Sequence, residues 1–144
     1  MKANIDPERD WRLATKLVRG GTKRSPFDET SEGLFMTSGY VYGSAEEAER
    51  AFKGEDQRFV YSRYANPTVE MFESRLAMLE GAALCRGTSS GMAAVFASLA
   101  CQLSAGDRIV ASRALFGSCH FVVSEILPKF GIDATLLDGT DLDQ

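Results

Sequence analysis

From Asn66 onward the apolar positions fall into sets whose spacing changes at each turn-forming residue. Asn66 offers a capping side chain, and Pro67 suits the first helical turn, where its missing N–H would have no partner anyway. Val69, Phe72, Leu76 and Leu79 then recur at steps of three or four. That spacing predicts a helix with one apolar stripe, ended by Gly81. "AALCRG" follows as a short buried strand, and "TSSGMAAVFASLACQL" as a second helix. Its residues are apolar or small nearly all round, so burial on most sides is expected. "DRIVAS" is the next strand. "GSCHFVVSEILPKFG" is a third helix, with Val122, Val123, Ile126, Leu127 and Phe130 inward. Pro128 should loosen its end, because the ring removes a backbone donor and crowds the preceding turn. "IDATLLD" is the last strand. Alternation of this kind predicts an α/β fold with a mainly parallel sheet covered by helices.

The first 60 residues differ. They are rich in charge, Gly, Ser and Thr, with little sustained apolar period. "RLATKLVRGGTKRSPFDETSEG" predicts a short helix and an exposed loop, and "LFMTSGYVYGS" an extended segment. "SAEEAERAFKGE" predicts a helix capped by Ser44 and closed by Gly54. The expected organisation is an arm over residues 1–60, lying on something else rather than forming its own core, and an incomplete α/β domain over 61–144. A parallel sheet of three strands leaves apolar edges open, which points to the front part of a larger protein.

Composition narrows the classes. At 44% hydrophobic and 25% charged residues the chain is ordinary for a globular protein. A net charge of -4 gives no footprint for nucleic acid or an acidic membrane surface. Apolar runs are too short to span a bilayer, and the N-terminus lacks a secretory apolar stretch, so the cytoplasm is the expected location. Cys85, Cys101 and Cys119 are widely spaced and read as small hydrophobes. His120 is the single histidine, so no His-rich metal site is available, and no metal is expected.

Three stretches can carry chemistry. In "CRGTSSGMAAV" a strand ends, a Gly/Ser/Thr turn follows, and a helix begins near Ser90. Unpaired amides and the helix dipole make such an end either an anion site or simply a capped structural helix. Gly91 permits close approach, and Thr88, Ser89 and Ser90 bring hydroxyls. In "RFVYSRYANPT", Tyr61 and Arg63 face one surface if the chain is extended, suiting a phosphate or carboxylate. The commoner alternative is a solvated arginine beside a half-buried tyrosine. In "SRALFGSCH", Phe116 precedes Gly117 at a strand-to-helix turn, where a ring can lie on a planar ligand or fill a core.

Taken in order, "YSRYANPT", "LEGA", "TSSGMAA" and "LFGS" resemble the pyridoxal-phosphate enzymes of cysteine and methionine metabolism, of transferase fold type I. The likeness runs from about residue 34 to the end. It implies that Tyr61 and Arg63 reach the cofactor phosphate of a neighbouring subunit, while Ser90, Gly91 and Met92 hold the phosphate of their own. Where many members have a tyrosine stacked on the pyridine ring, this chain has Phe116, which keeps stacking without hydroxyl chemistry. Tyr40 matches a tyrosine that approaches the neighbouring subunit's substrate site. The "SRALFGS" form is most similar to the O-succinylhomoserine sulfhydrylase branch. The implied chemistry is replacement of succinate by sulfide to give homocysteine in methionine biosynthesis, with pyridoxal phosphate as electron sink. The alternatives are O-acetylhomoserine sulfhydrylase, cystathionine gamma-synthase or lyase, or a truncated non-catalytic module binding phosphate or subunits. The resemblance further implies a homodimer or homotetramer and a cofactor-bearing lysine beyond residue 144. This segment therefore has no expected catalytic residue, and alone is expected to be inactive.

Overall fold

The computed structural model describes residues 11–143. The chain divides into two compact units between Gly87 and Thr88.

In the first unit, α1 spans Leu13–Arg19, α2 Ala45–Lys53 and α3 Pro67–Glu80. Local chemistry sets both ends of α2 and α3. The Ser44 hydroxyl accepts the Glu47 amide at 3.2 Å, and Gly54 closes α2 at φ 77°. Asn66 Oδ1 accepts the Thr68 amide at 2.9 Å, Pro67 opens α3, and Gly81 closes it at φ 64°. Positive φ at these ends favours glycine, which has no Cβ to clash.

α1 and the loop after it pack on α3. They cover Met71, which is 1% exposed, rather than the predicted stripe. Val69 and Phe72 are 45% and 57% exposed. The reason lies in the loop. Arg75 Nε donates to the Gly20 carbonyl at 3.1 Å, and the Lys23 amide meets Met71 Sδ at 3.2 Å. The Met71–Arg75 face is thus the one fastened, and the stripe lies beside it.

"LFMTSGYVYGS" forms no strand; an isolated antiparallel bridge joins Gly39 to Tyr61. "AALCRG" forms none either, and Leu84 is 64% exposed. A strand exists only with a neighbour to take its amides and carbonyls, and no described strand lies beside this one.

In the second unit, α4 spans Gly91–Ala100, β1 Arg108–Ser112, α5 Gly117–Phe121 and β2 Asp133–Leu137. β1 and β2 pair in parallel, from Arg108 opposite Asp133 to Ser112 opposite Leu137. Between them α5 passes into a π-helical turn, Val122–Ile126, then a 3₁₀ turn, Leu127–Phe130. Pro128 accounts for the change, since it cannot supply an α-helical amide. Val122, Leu127 and Ile132 form the buried cluster, with Met92, Phe96, Leu99, Leu103 and Ile109 packed against it. Val123 is also buried, but Phe130 is mainly exposed, at its edge against Phe96. α4 therefore covers the cluster with one side only. No residue of α4 is fully buried, contrary to the expectation from its composition. Cys101 likewise lies exposed at its end.

Candidate functional site

The stretch from Tyr61 to Asn66 is a turn, which corrects the expectation of extended chain. The Tyr61 carbonyl accepts the amides of Tyr64 and Ala65 at 2.9 and 3.2 Å. Alternation of residue types suggested side chains two apart on one face; the backbone instead closes on itself. Tyr61 and Arg63 still come together. The Arg63 guanidinium carbon lies 4.9 Å from the Tyr61 ring centre and 5.4 Å from that of Tyr64.

The turn is bolted to residues 35–39. The Ser62 amide donates to the Ser38 carbonyl at 2.9 Å, and the Ser62 hydroxyl to that of Thr37. Asn66, 6% exposed, donates through Nδ2 to the Phe35 carbonyl at 2.9 Å and to Ser62 Oγ at 3.0 Å. Asn66 therefore caps α3 and anchors the turn before it. Sequence reasoning found the first role only, because the second depends on a partner 31 residues away.

An open cavity of about 700 Å³ adjoins the turn, lined by Arg63, Tyr64, Asn66, Val69, Glu73 and Arg86 among others. Glu73 is engaged by the Gly87 amide at 2.7 Å and by Arg86 at 3.2 Å. Glu70 pairs with Lys23 at 3.1 Å. Arg63 makes no ion pair or hydrogen bond with a described residue.

Tyr40 follows Gly39, the bridge partner of Tyr61. Its ring stacks on Phe59 at 5.8 Å, and its hydroxyl is buried without a hydrogen-bond partner among the described residues. A buried unpaired hydroxyl is costly, which makes this orientation unusual for a purely structural tyrosine.

In the second unit, Ser90 caps α4. Its Oγ accepts the Ala93 amide at 3.1 Å, leaving the hydroxyl proton able to donate elsewhere. Its carbonyl accepts the Ala94 amide at 3.1 Å and the Thr88 hydroxyl at 2.8 Å. The Gly91 and Met92 amides have no partner among the described residues, and a Cβ added at Gly91 would meet nothing within 4 Å. The Met92 side chain is turned the other way, into the buried cluster. Two free amides, a free hydroxyl proton and the positive end of the helix dipole suit a phosphate group, as the residues of a pyridoxal-phosphate site require.

Phe116 precedes α5, and its ring is 74% exposed rather than in the core. It follows the carboxyl end of β1, the edge where open α/β sheets bind ligands. A cavity of about 510 Å³ lies at the same ends of β1 and β2, lined by Ser112, Arg113, Asp138 and Thr140. Arg113 is fastened there, Nε donating to the Leu136 carbonyl at 3.2 Å. The Thr140 hydroxyl, then its amide, hold the Asp138 carboxyl below its usual range.

The chain belongs to the family of Cys/Met metabolism PLP-dependent enzymes, whose pattern it matches over residues 14–144. It is 59% identical over 131 residues to an O-succinylhomoserine sulfhydrylase of Mycobacterium tuberculosis, covering 91% of this chain and 32% of that protein. It is 33% identical to an L-methionine gamma-lyase of Fusobacterium nucleatum, over 92% of this chain and 33% of the relative. The chain thus spans about a third of the length of these curated relatives. Among solved structures it resembles a Campylobacter jejuni chain described as an O-acetylhomoserine (thiol)-lyase, with a TM-score of 0.84 and 30% identity. That likeness covers 93% of this chain and 33% of the other, which was solved with N'-pyridoxyl-lysine-5'-monophosphate. The fold is that of the N-terminal part of a fold type I pyridoxal-phosphate enzyme.

Proposed function

We propose that the chain is the N-terminal segment of an O-succinylhomoserine sulfhydrylase, which forms homocysteine from O-succinylhomoserine and sulfide. The observation that carries the reading is the open end of α4, where Ser90, Gly91 and Met92 offer one hydroxyl and two amides to a phosphate. The choice of acyl ester and thiol is supported by the 59% identical relative's name.

In this reading the Gly91 and Met92 amides and the Ser90 hydroxyl bind the cofactor phosphate of their own subunit. Tyr61 and Arg63 bind the phosphate of a neighbouring subunit, so the working protein is a homo-oligomer with shared sites. Phe116, exposed ahead of α5, would hold the pyridine ring of the cofactor by stacking. With no hydroxyl, it moves no proton. Tyr40 belongs to the segment that approaches the neighbouring subunit's substrate site. When bound, pyridoxal phosphate supplies an electron sink for charge formed next to the amino group of the substrate. The lysine that carries the cofactor is assigned to no residue of this segment, and the 144-residue chain alone is expected to give no turnover. The protein is assigned to the cytoplasm and to methionine biosynthesis.

The test uses the longer protein that carries this segment, supplied with pyridoxal phosphate. Homocysteine should form from O-succinylhomoserine and sulfide at a higher kcat/KM than from O-acetylhomoserine, and cysteine should be a poor substitute for sulfide. Preference for the acetyl ester, preference for cysteine, or cleavage of methionine as the main reaction would overturn the assignment.

A further inference from the structure

We propose that Tyr64 is a positioning residue for Arg63, holding its guanidinium between two tyrosine rings so that the N–H edge stays open to an anion. The inference rests on the reading above, in which Arg63 meets a phosphate. Its basis is the turn. The hydrogen bond from the Tyr64 amide to the Tyr61 carbonyl brings residues three apart to opposite ends of one tight bend. Arg63 lies inside that bend, 4.9 Å from one ring centre and 5.4 Å from the other.

A guanidinium is a flat cation whose five N–H groups all point outward in its own plane. Contact with aromatic rings uses its face and leaves that edge available, whereas a carboxylate partner would occupy the edge. The acids lining the same cavity are held elsewhere, Glu70 by Lys23 and Glu73 by Arg86 and the Gly87 amide. Without the rings, the long arginine side chain would sample many rotamers and lose that freedom on binding; the rings remove part of this loss beforehand. Tyr64 itself is 71% exposed, so its ring does little packing besides.

The test measures binding of pyridoxal phosphate, and of pyridoxal without the phosphate, to the apo form of the longer protein carrying this segment. Tyr64→Leu should weaken pyridoxal phosphate binding by about threefold to fivefold, the range of an exposed cation–π contact. Pyridoxal binding should be unchanged. Tyr64→Phe keeps the ring and should bind as the parent does. In an Arg63→Ala background, Tyr64→Leu should cause no further loss. Parent-like binding by Tyr64→Leu, equal loss in Tyr64→Phe, or undiminished loss in the Arg63→Ala background would each overturn the inference while leaving the cofactor site standing. Unchanged affinity in Arg63→Ala alone would overturn the site reading, and this inference with it.

Discussion

Each of the two units is stabilised internally by a different kind of contact. In the unit ending at Gly87, the fully buried apolar residues among those described are Ala51 and Met71, with Pro67 at the head of α3. Many of its long-range fastenings are polar. Asn66 reaches the Phe35 carbonyl, Thr68 Oγ accepts the Phe35 amide at 2.9 Å, and Arg75 joins Gly20 and Glu32. In the unit beginning at Thr88, Val122, Leu127 and Ile132 make a small apolar core beneath a parallel strand pair. Exposed ion pairs contribute about 0–1 kcal/mol each, and a net hydrogen bond about 1 kcal/mol. Removing a buried leucine side chain costs several times more. The first unit should therefore lose stability in small steps, each local to a clasp, whereas the second should fail at a single packed point.

The largest expected effect tests the apolar half. Leu127 is fully buried, and Leu127→Ala should cost about 2–5 kcal/mol through lost burial and a residual cavity. Native-state hydrogen exchange should speed up most at the β1 and β2 amides. Parent-like exchange there would mean the cluster is not what holds the strand pair.

A smaller effect tests the polar half. Asn66→Ala removes both the α3 cap and the bond to the Phe35 carbonyl, for about 2 kcal/mol in sum. Asn66→Ser keeps a neutral capping oxygen for the Thr68 amide but lacks the amide that donates to Phe35 and Ser62. It should recover about 1 kcal/mol of that loss in urea unfolding. Equal destabilisation by the two changes would show that the cap contributes nothing separable from the clasp.

The same contrast explains which features could be seen in the sequence. Helix ends are local. Ser44, Gly54, Asn66, Pro67, Gly81 and Ser90 each act within a few residues, and all stand where capping chemistry puts them. β1, β2 and the inward Val122, Val123 and Leu127 were legible because apolar period survives packing. Features that need a distant partner were not. "AALCRG" has the composition of a strand but lacks a described neighbour to bond it. The Val69–Leu79 stripe is apolar as its spacing predicts, but which face of α3 is covered by α1 is decided by the distant Arg75–Gly20 bond. Alternation at Tyr61 and Arg63 has the look of extended chain, whereas the Tyr64 and Ala65 amides, both bonded to the Tyr61 carbonyl, make a turn. The cofactor and the family came from the order of the motifs, which no single motif supplies.

The smallest expected effect concerns a polar clasp in the first unit's loop. Glu29 accepts the Ser25 hydroxyl at 2.6 Å and the Ser25 amide at 3.0 Å, closing a turn in which Asp28 takes φ 52°. The hydroxyl bond chiefly, then the amide bond, pull the Glu29 carboxyl from 4.5 to about 2. A carboxyl lowered in the folded state contributes stability that is present above its unfolded value. That contribution is lost as pH falls from the ordinary carboxylate range through about 2. The loop should stay closed at neutral pH and loosen only in strong acid. Ser25→Ala removes the largest cause, so the Glu29 midpoint, followed by carboxyl NMR, should rise toward 4.5 while the helices stay folded. A parent midpoint already near 4.5 would show that the clasp does not form in solution. The first unit would then have fewer polar fastenings, and a greater share of its stability would rest on Met71 and the Asn66 anchor.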